Sequence, residues 1–179
     1  MKGLIEKEIE ANFNTIQTWL NTEKAKGTPL FYTSVDLRES DYKFASIDTN
    51  IFPAGFNNLS PSKHPIIKAS IENFVSNHYP NTKHILLFSE DHTRNPFYLE
   101  NVLQLSQRIE SCGIKCSIGT FFNDQPSICS STGHLKLSTS SNHEITVYCL
   151  DYIINHMSEF NFDLCLLNND LSDGNYGNL

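Results

Sequence analysis

No stretch of this chain approaches the roughly 20 consecutive apolar residues that a membrane-crossing helix needs. Basic residues are also few: 13 Lys and Arg stand against 20 Asp and Glu, a formal charge of −7 and a pI near 5.4. That balance argues against a nucleic-acid binder, while leaving room for a local basic pocket that takes a small anion. The opening MKGLIEKEIEANFN is charged and amphipathic, without the apolar core or small-residue cleavage site of a secretory signal. Cysteine is scarce and odd in number, at 112, 116, 129, 149 and 165, which is no disulfide framework. The expectation is a reduced, cytoplasmic protein that engages neither membrane nor nucleic acid. The catalytic signatures GxxxxGK[ST], GxGxxG after a strand, GxSxG and HExxH are all missing. Cys112-x3-Cys116 lacks a second ligand pair, and the seven histidines are dispersed, so no metal site is evident in the chain. There is no internal repeat and no strong linker. At 179 residues and 39% hydrophobic, the expectation is one α/β domain over 1–179.

What is present has clear periodicity. Leu4, Ile5, Ile9, Phe13, Ile16, Trp19 and Leu20 recur at steps of mostly three and four, a helix over 3–26 stopped by Gly27 and Pro29. LFYTSVDL (30–37) and YKFASI (42–47) read as strands, paired as a hairpin across 38–41. DTNIFPAGFNNLSPSK (48–63) has no period; its length and its Ile51, Phe52, Phe56 and Leu59 favour an ordered functional loop that packs down. A helix over 64–79 follows, with Ile67, Ile71, Phe74 and Val75 inward. HILLF (84–88) has the pattern of a strand buried on both faces. Asn95 is the expected N-cap and Pro96 the first residue of a helix to about Ser111, with Phe97, Val102, Leu105 and Ile109 inward and Gly113 beyond its end. Strands are expected over 114–121, 144–150 and 163–168, a short helix over 151–160, and an exposed excursion over 123–143 with a short hairpin around Gly133. The class is therefore α/β: a mostly parallel central sheet of these six strands with helices on both faces.

Two polar clusters each follow a buried strand, SEDHTRN (89–95) and Asn168–Asn169–Asp170. In open α/β sheets ligands bind outside the carboxyl ends of strands, so the clusters are expected to converge there, beside the 48–63 loop. Such residues also serve as ordinary turns and caps. Arg94 sits at a helix start, where the dipole disfavours a cation unless an anion joins it. Its planar fork suits a carboxylate or phosphate, and the helix N-terminus offers N–H groups to the same anion. Alternatively it pairs with Glu90 or Asp91. His92 is either a proton carrier or only a hydrogen-bonding group. Asp36 and Arg38 alternate onto one strand face, as an ion pair or as a clamp for a substrate carboxylate; Lys43 and Asp48 are similarly ambiguous.

VDLRESDYKFASIDTNIFPAGFNNL (35–59), SEDHTRNPFYLENV (89–102) and LLNNDLSDG (166–174) resemble, in order, the proteobacterial GshA-type glutamate–cysteine ligase family. The likeness runs from about Phe31 to Gly174. It implies a Rossmann-like, pre-ATP-grasp-like domain forming the N-terminal, substrate-side part of an ATP-grasp-type ligase. That enzyme joins the glutamate side-chain carboxyl to the cysteine amine, the first step of glutathione synthesis. The resemblance implies ATP and Mg2+ for the full-length family, held in a C-terminal region or separate chain that this sequence lacks. The ending at NYGNL, without a charged tail or capping helix, points to a piece of something longer, inactive alone. The substrate-facing candidates are Arg38 and Arg94 as cations, with Asp36, Asp48, Asn50, Asn57, Asn58, His92, Asn95, Asn168, Asn169 and Asp170. The alternatives are a free-standing binding module for an amino acid or small anion, and a non-catalytic interaction domain.

Overall fold

The computed structural model describes residues 3–27, 29–40, 43–92, 94–122 and 131–169, with Leu4 described by its backbone. Where the sequence reading takes 1–179 as one domain, contacts divide the chain into two compact units, Met1–Pro53 and Ala54–Leu179.

In the first unit the single expected helix is two, α1 (Leu4–Ala11) and α2 (Phe13–Lys24). Glu6 reaches back to the Gly3 N–H at 3.0 Å and closes the start of α1. Asn12 breaks the run: its side-chain amide donates to the Glu8 carbonyl at 2.9 Å, competing with the helical ladder. The hairpin forms from β1 (Ser34–Glu39) and β2 (Phe44–Asn50), both shifted toward the C-terminus of the expected spans. Its register pairs Ser34 with Asn50, Asp36 with Asp48, and Arg38 with Ala45, with an irregularity at Asp36/Leu37. One face is therefore polar, and the other carries Val35, Leu37 and Phe44. This is a two-stranded antiparallel sheet of its own. The first two expected strands are thus not members of the central sheet, because their backbone groups pair only with each other.

The second unit holds the five-stranded sheet, in the order β5 (His134–Ser138), β6 (Glu144–Cys149), β4 (Lys115–Thr120), β3 (His84–Ser89), β7 (Leu164–Asn168). All pairs are parallel except β5–β6. The expected hairpin near Gly133 is a strand, but it turns at 139–143 and joins β6 as an antiparallel edge. Between β3 and β4 runs α4 (Pro96–Glu110); between β6 and β7 run α5 (Leu150–Asn155) and α6 (Met157–Phe160). The two crossovers step in opposite directions along the sheet, so a common right hand puts α4 on one face and α5 on the other. β3 lies between two parallel partners with both faces covered; Ile85, Leu86, Leu87 and Phe88 are 0–5% exposed. Each such side chain stabilises by about 1.5–3 kcal/mol. Gly119 lets α5 close on the sheet: a Cβ there would sit 3.0 Å from Ile153 and 3.1 Å from Leu86.

α3 (His64–His78) buries Ile71 and Val75, whereas Ile67 and Phe74 are only half-buried. α4 buries Leu99, Val102, Leu105 and Ile109. Phe97, expected inward, is 70% exposed, because the first turn points the neighbouring Tyr98 toward the sheet instead. Short 3-10 turns at Phe56–Asn58 and Pro61–Lys63 order the second half of the 48–63 loop. Phe52 and Phe56 are half-buried, but Ile51 and Leu59 are exposed.

The β5–β6 turn is pinned to α4 by buried Glu100, whose carboxylate accepts from the Ser141 hydroxyl, from the Ser141 N–H at 3.2 Å and from Gln104 at 3.1 Å. Burial opposes its charge, yet these hydrogen bonds hold its pKa at about 2. Cys112, Cys116 and Cys165 are free thiols, with burial pushing Cys116 up to about 12. Cys149 is disulfide-bonded, which departs from the fully reduced expectation. No helix among the described residues is long and apolar enough to cross a membrane.

Two expectations follow. A Cβ on Gly133, at φ +71°, would run into the Tyr152 ring; Gly133→Ala should cost roughly 1–3 kcal/mol in urea unfolding. His84 is buried, with its ring nitrogens 2.7 Å from the Phe160 carbonyl and 2.9 Å from the Ser117 hydroxyl. Burial lowers its pKa from 6.5, so the unfolded chain binds the proton more readily. Its contribution is present above pH 6.5 and lost as pH falls below it. The melting temperature should drop as pH is lowered from 7.5 toward 5.5, less steeply in His84→Gln.

Candidate functional site

β3 and β7 are adjacent and parallel, so the segments leaving them emerge side by side. Ser89 pairs with Asn168 at the last rung. Just beyond, the Asn169 side-chain amide donates to the Ser89 carbonyl at 3.2 Å. The Ser89 hydroxyl donates to the Gly119 carbonyl at 3.2 Å, and the Thr120 hydroxyl to the Ser89 carbonyl at 3.2 Å. Ser89, Thr120, Asn168 and Asn169 are all buried. These bonds satisfy polar groups at the carboxyl edge of the sheet and lock three strand ends together. Next to them Phe122 holds φ +55° with its ring fully buried, a left-handed backbone that a bulky residue adopts only under packing.

Tyr98 joins the two expected clusters. Its hydroxyl accepts the Glu90 N–H at 2.9 Å and donates to the Asn168 carbonyl at 3.4 Å. Glu90 in turn meets His92 at 2.6 Å, and the His92 ring stands edge-on to Tyr98 with centroids 5.2 Å apart. The structure therefore brings together Glu90, His92, Asn95, Asn168 and Asn169. Tyr98 was not among the expected site residues. Its signal was its place three residues after the N-cap, where the first turn of α4 faces the strand ends.

Asn95 caps α4 as expected, its side-chain oxygen accepting from the Phe97 N–H at 3.1 Å and the Tyr98 N–H at 3.2 Å. This corrects the expectation of a helix terminus open to an anion. Pro96 has no N–H, Phe97 and Tyr98 are occupied by the cap, and the Leu99 N–H bonds the Asn95 carbonyl at 3.0 Å. Anion recognition at this point falls to side chains. Arg94 is exposed, and the expected surface pairing with Glu90 or Asp91 does not form; it makes no ion pair among the described residues.

Asn57 and Asn58 sit on the 3-10 turn that docks on α4, where the Phe56 N–H donates to Asn101 at 2.9 Å. Asn101 is one helical turn beyond Tyr98. Both asparagines are exposed, joined side chain to side chain at 3.4 Å. Asp36, Arg38, Asp48 and Asn50 share the polar face of the hairpin in the first unit. Asp48 accepts from the Asn50 amide at 3.2 Å, while Asp36 and Arg38 form no ion pair among the described residues. Asp170 lies outside the described residues. Among those described, no three His, Cys, Asp or Glu side chains group as a metal site.

Tyr98→Phe would strand the Glu90 N–H and should cost about 1–3 kcal/mol of stability by denaturant titration.

Comparison with known proteins places this geometry. The family profile described as GshA, glutamate-cysteine ligase, matches residues 6–179. No curated protein matches the chain. Among solved structures, the chain is similar to a protein from Methylobacillus flagellatus KT, provisionally assigned as a gamma-glutamylcysteine synthetase. The two are 33% identical with a TM-score of 0.80, over 93% of this chain and 38% of the other. The chain thus spans well under half the length of that relative.

Proposed function

Because the chain belongs to the GshA glutamate–cysteine ligase family, we propose that it is the N-terminal, substrate-side part of an ATP-dependent ligase. The reaction is the joining of the glutamate side-chain carboxyl to the amine of cysteine. In this reading a further region, in the same polypeptide or in a separate chain, holds ATP and magnesium, and residues 1–179 alone do not complete the reaction. The nucleotide supplies the activation of the carboxyl group; this chain's own residues bind and orient the amino acid and keep water away. The cytoplasm, with its supply of amino acids and nucleotide, is the setting that suits such a ligase.

One observation supports the reading most: two polar segments converge at the carboxyl ends of β3 and β7, with an arginine beside them that no carboxylate of the described residues engages. Arg94 has the charge and fork to hold an amino-acid carboxylate bidentately. The capped terminus of α4 leaves that task to the guanidinium. Glu90 offers a carboxylate for an α-ammonium, while buried Asn168 and Asn169 hold the strand ends beside it. His92, held by Glu90, is a positioning group for this edge. Asn57 and Asn58 line the turn one helical step away. Asp36, Arg38, Asp48 and Asn50 form a second polar face and are kept as substrate-facing candidates in their own unit, as is Asp170.

A second reading, a free-standing module for a small anionic amino acid, draws on the same exposed Arg94 and requires no nucleotide.

Calorimetry with glutamate tests the pocket. The intact chain should release heat of binding, and Arg94→Ala should weaken it by about 10- to 150-fold, the equivalent of a lost charged hydrogen bond. Arg94→Lys should recover part of the affinity but not the bidentate component. Equal affinities in the intact chain and Arg94→Ala would remove Arg94 from the site.

A further inference from the structure

The first unit has amphipathic elements but little interior among its described residues. Of its described side chains before Pro53, none is buried. Yet apolar residues lie on matched sides of its elements. The hairpin register puts Val35, Leu37 and Phe44 on one face, each beside a polar partner (Thr49, Ser46 and Glu39), and the three apolar residues are 49%, 61% and 48% exposed. At Phe44 this face runs into a groove of about 460 Å³ that is also lined by Ile5, Ile9 and Ile16 of α1 and α2. Glu8, Asn12 and Lys43 form its polar rim. An apolar floor with a charged rim is the layout of a protein-docking surface rather than of a solvent face. A two-stranded ribbon is also marginal in water without a partner to cover it.

The occupant follows from the comparison. The superposition on the M. flagellatus protein takes in 93% of this chain, and so most of residues 1–53, but only 38% of that protein. Elements that lack a core of their own are thus kept in a protein whose chain is more than twice the matched length. We propose that the continuous surface of Ile5, Ile9, Ile16, Phe44, Leu37 and Val35 is the seat of the ligase region equivalent to the remaining 62% of the M. flagellatus chain. It takes an apolar segment of that region against the hairpin and groove. This rests on the two-part ligase reading above and adds the surface through which the parts meet. The polar hairpin face, with Asp36, Arg38, Asp48 and Asn50, is then left free on the opposite side.

Hydrogen exchange read by mass spectrometry tests it on two intact proteins, this chain and the M. flagellatus protein. Peptides covering 34–50 should exchange rapidly here, and at least about a hundredfold more slowly at the superposed positions of the longer protein. Equal rates in both would overturn the proposal. So would slow exchange in this chain alone: light scattering would then assign the cover to a second copy if the chain is dimeric, or to its own second unit if monomeric. A second readout is Leu37→Glu. It should leave the melting temperature of this chain unchanged, while glutamate at the superposed position of the longer protein should lower it by roughly 4 °C or more. A fall in this chain, or none in either protein, would also overturn it. Neither measurement involves glutamate binding at Arg94, so a failed substrate pocket and a failed docking surface give separate results.

Discussion

The parallel pairing of β3 between β4 and β7 is the constraint on which the second unit depends. A strand flanked by parallel partners must leave the sheet at each end and cross over a face to return. His84–Ser89 carries no charged side chain that would need water, so both faces can be covered. With α4 on one side and α5 on the other, the carboxyl ends of β3, β4 and β7 are forced into one small area. Their last carbonyls lose partners in the sheet there, and Ser89, Thr120, Tyr98 and Asn169 supply replacements. The polar site is thus partly a solution to the sheet's own hydrogen-bonding problem.

That double role explains why the cluster is rigid where it is buried and open where it is not. Ser89, Asn168 and Asn169 are committed to backbone partners. Glu90 and His92 are committed to each other on the surface. Asn95 spends its oxygen on the helix start. Among the described residues, Arg94 alone of the candidate cations of this cluster has no ion-pair partner, and Glu90 is engaged by His92. A cation held beside a helix start without a counter-charge is electrostatically disfavoured, and a bound carboxylate relieves it.

The first unit shows the opposite economy. Its helices and hairpin satisfy their backbone groups locally, but none of its described side chains before Pro53 is fully buried. Secondary structure of this kind is specified by spacing and turns, whereas stability comes from apolar contact. The unit has the first without the second, and its exposed Val35, Leu37 and Phe44 are the residues that an adjoining surface would cover.

Much of this was legible in the chain itself. The run HILLF, the Asn95–Pro96 helix start and the Gly113 stop are local signals, since each depends on the residue's own backbone preferences or on the two-sided burial of a strand. The motifs over 35–59, 89–102 and 166–174 likewise carried the family. Asn12 breaking the first helix, Phe97 turning outward while Tyr98 turned in, and the first two strands leaving the central sheet were not legible. Each depends on which partner a group finds: Glu8 for the Asn12 amide, the ends of β3 and β7 for the Tyr98 hydroxyl, and β2 alone for β1. Periodicity tells which side chains avoid water but not which of two neighbouring apolar residues meets the sheet. Sequence alone determined most elements of the second unit and carried the family's motifs; only the tertiary structure decided that Glu90 and Asn168, distant in the chain, meet across one hydroxyl, because strand order is set by long-range pairing that no local preference encodes.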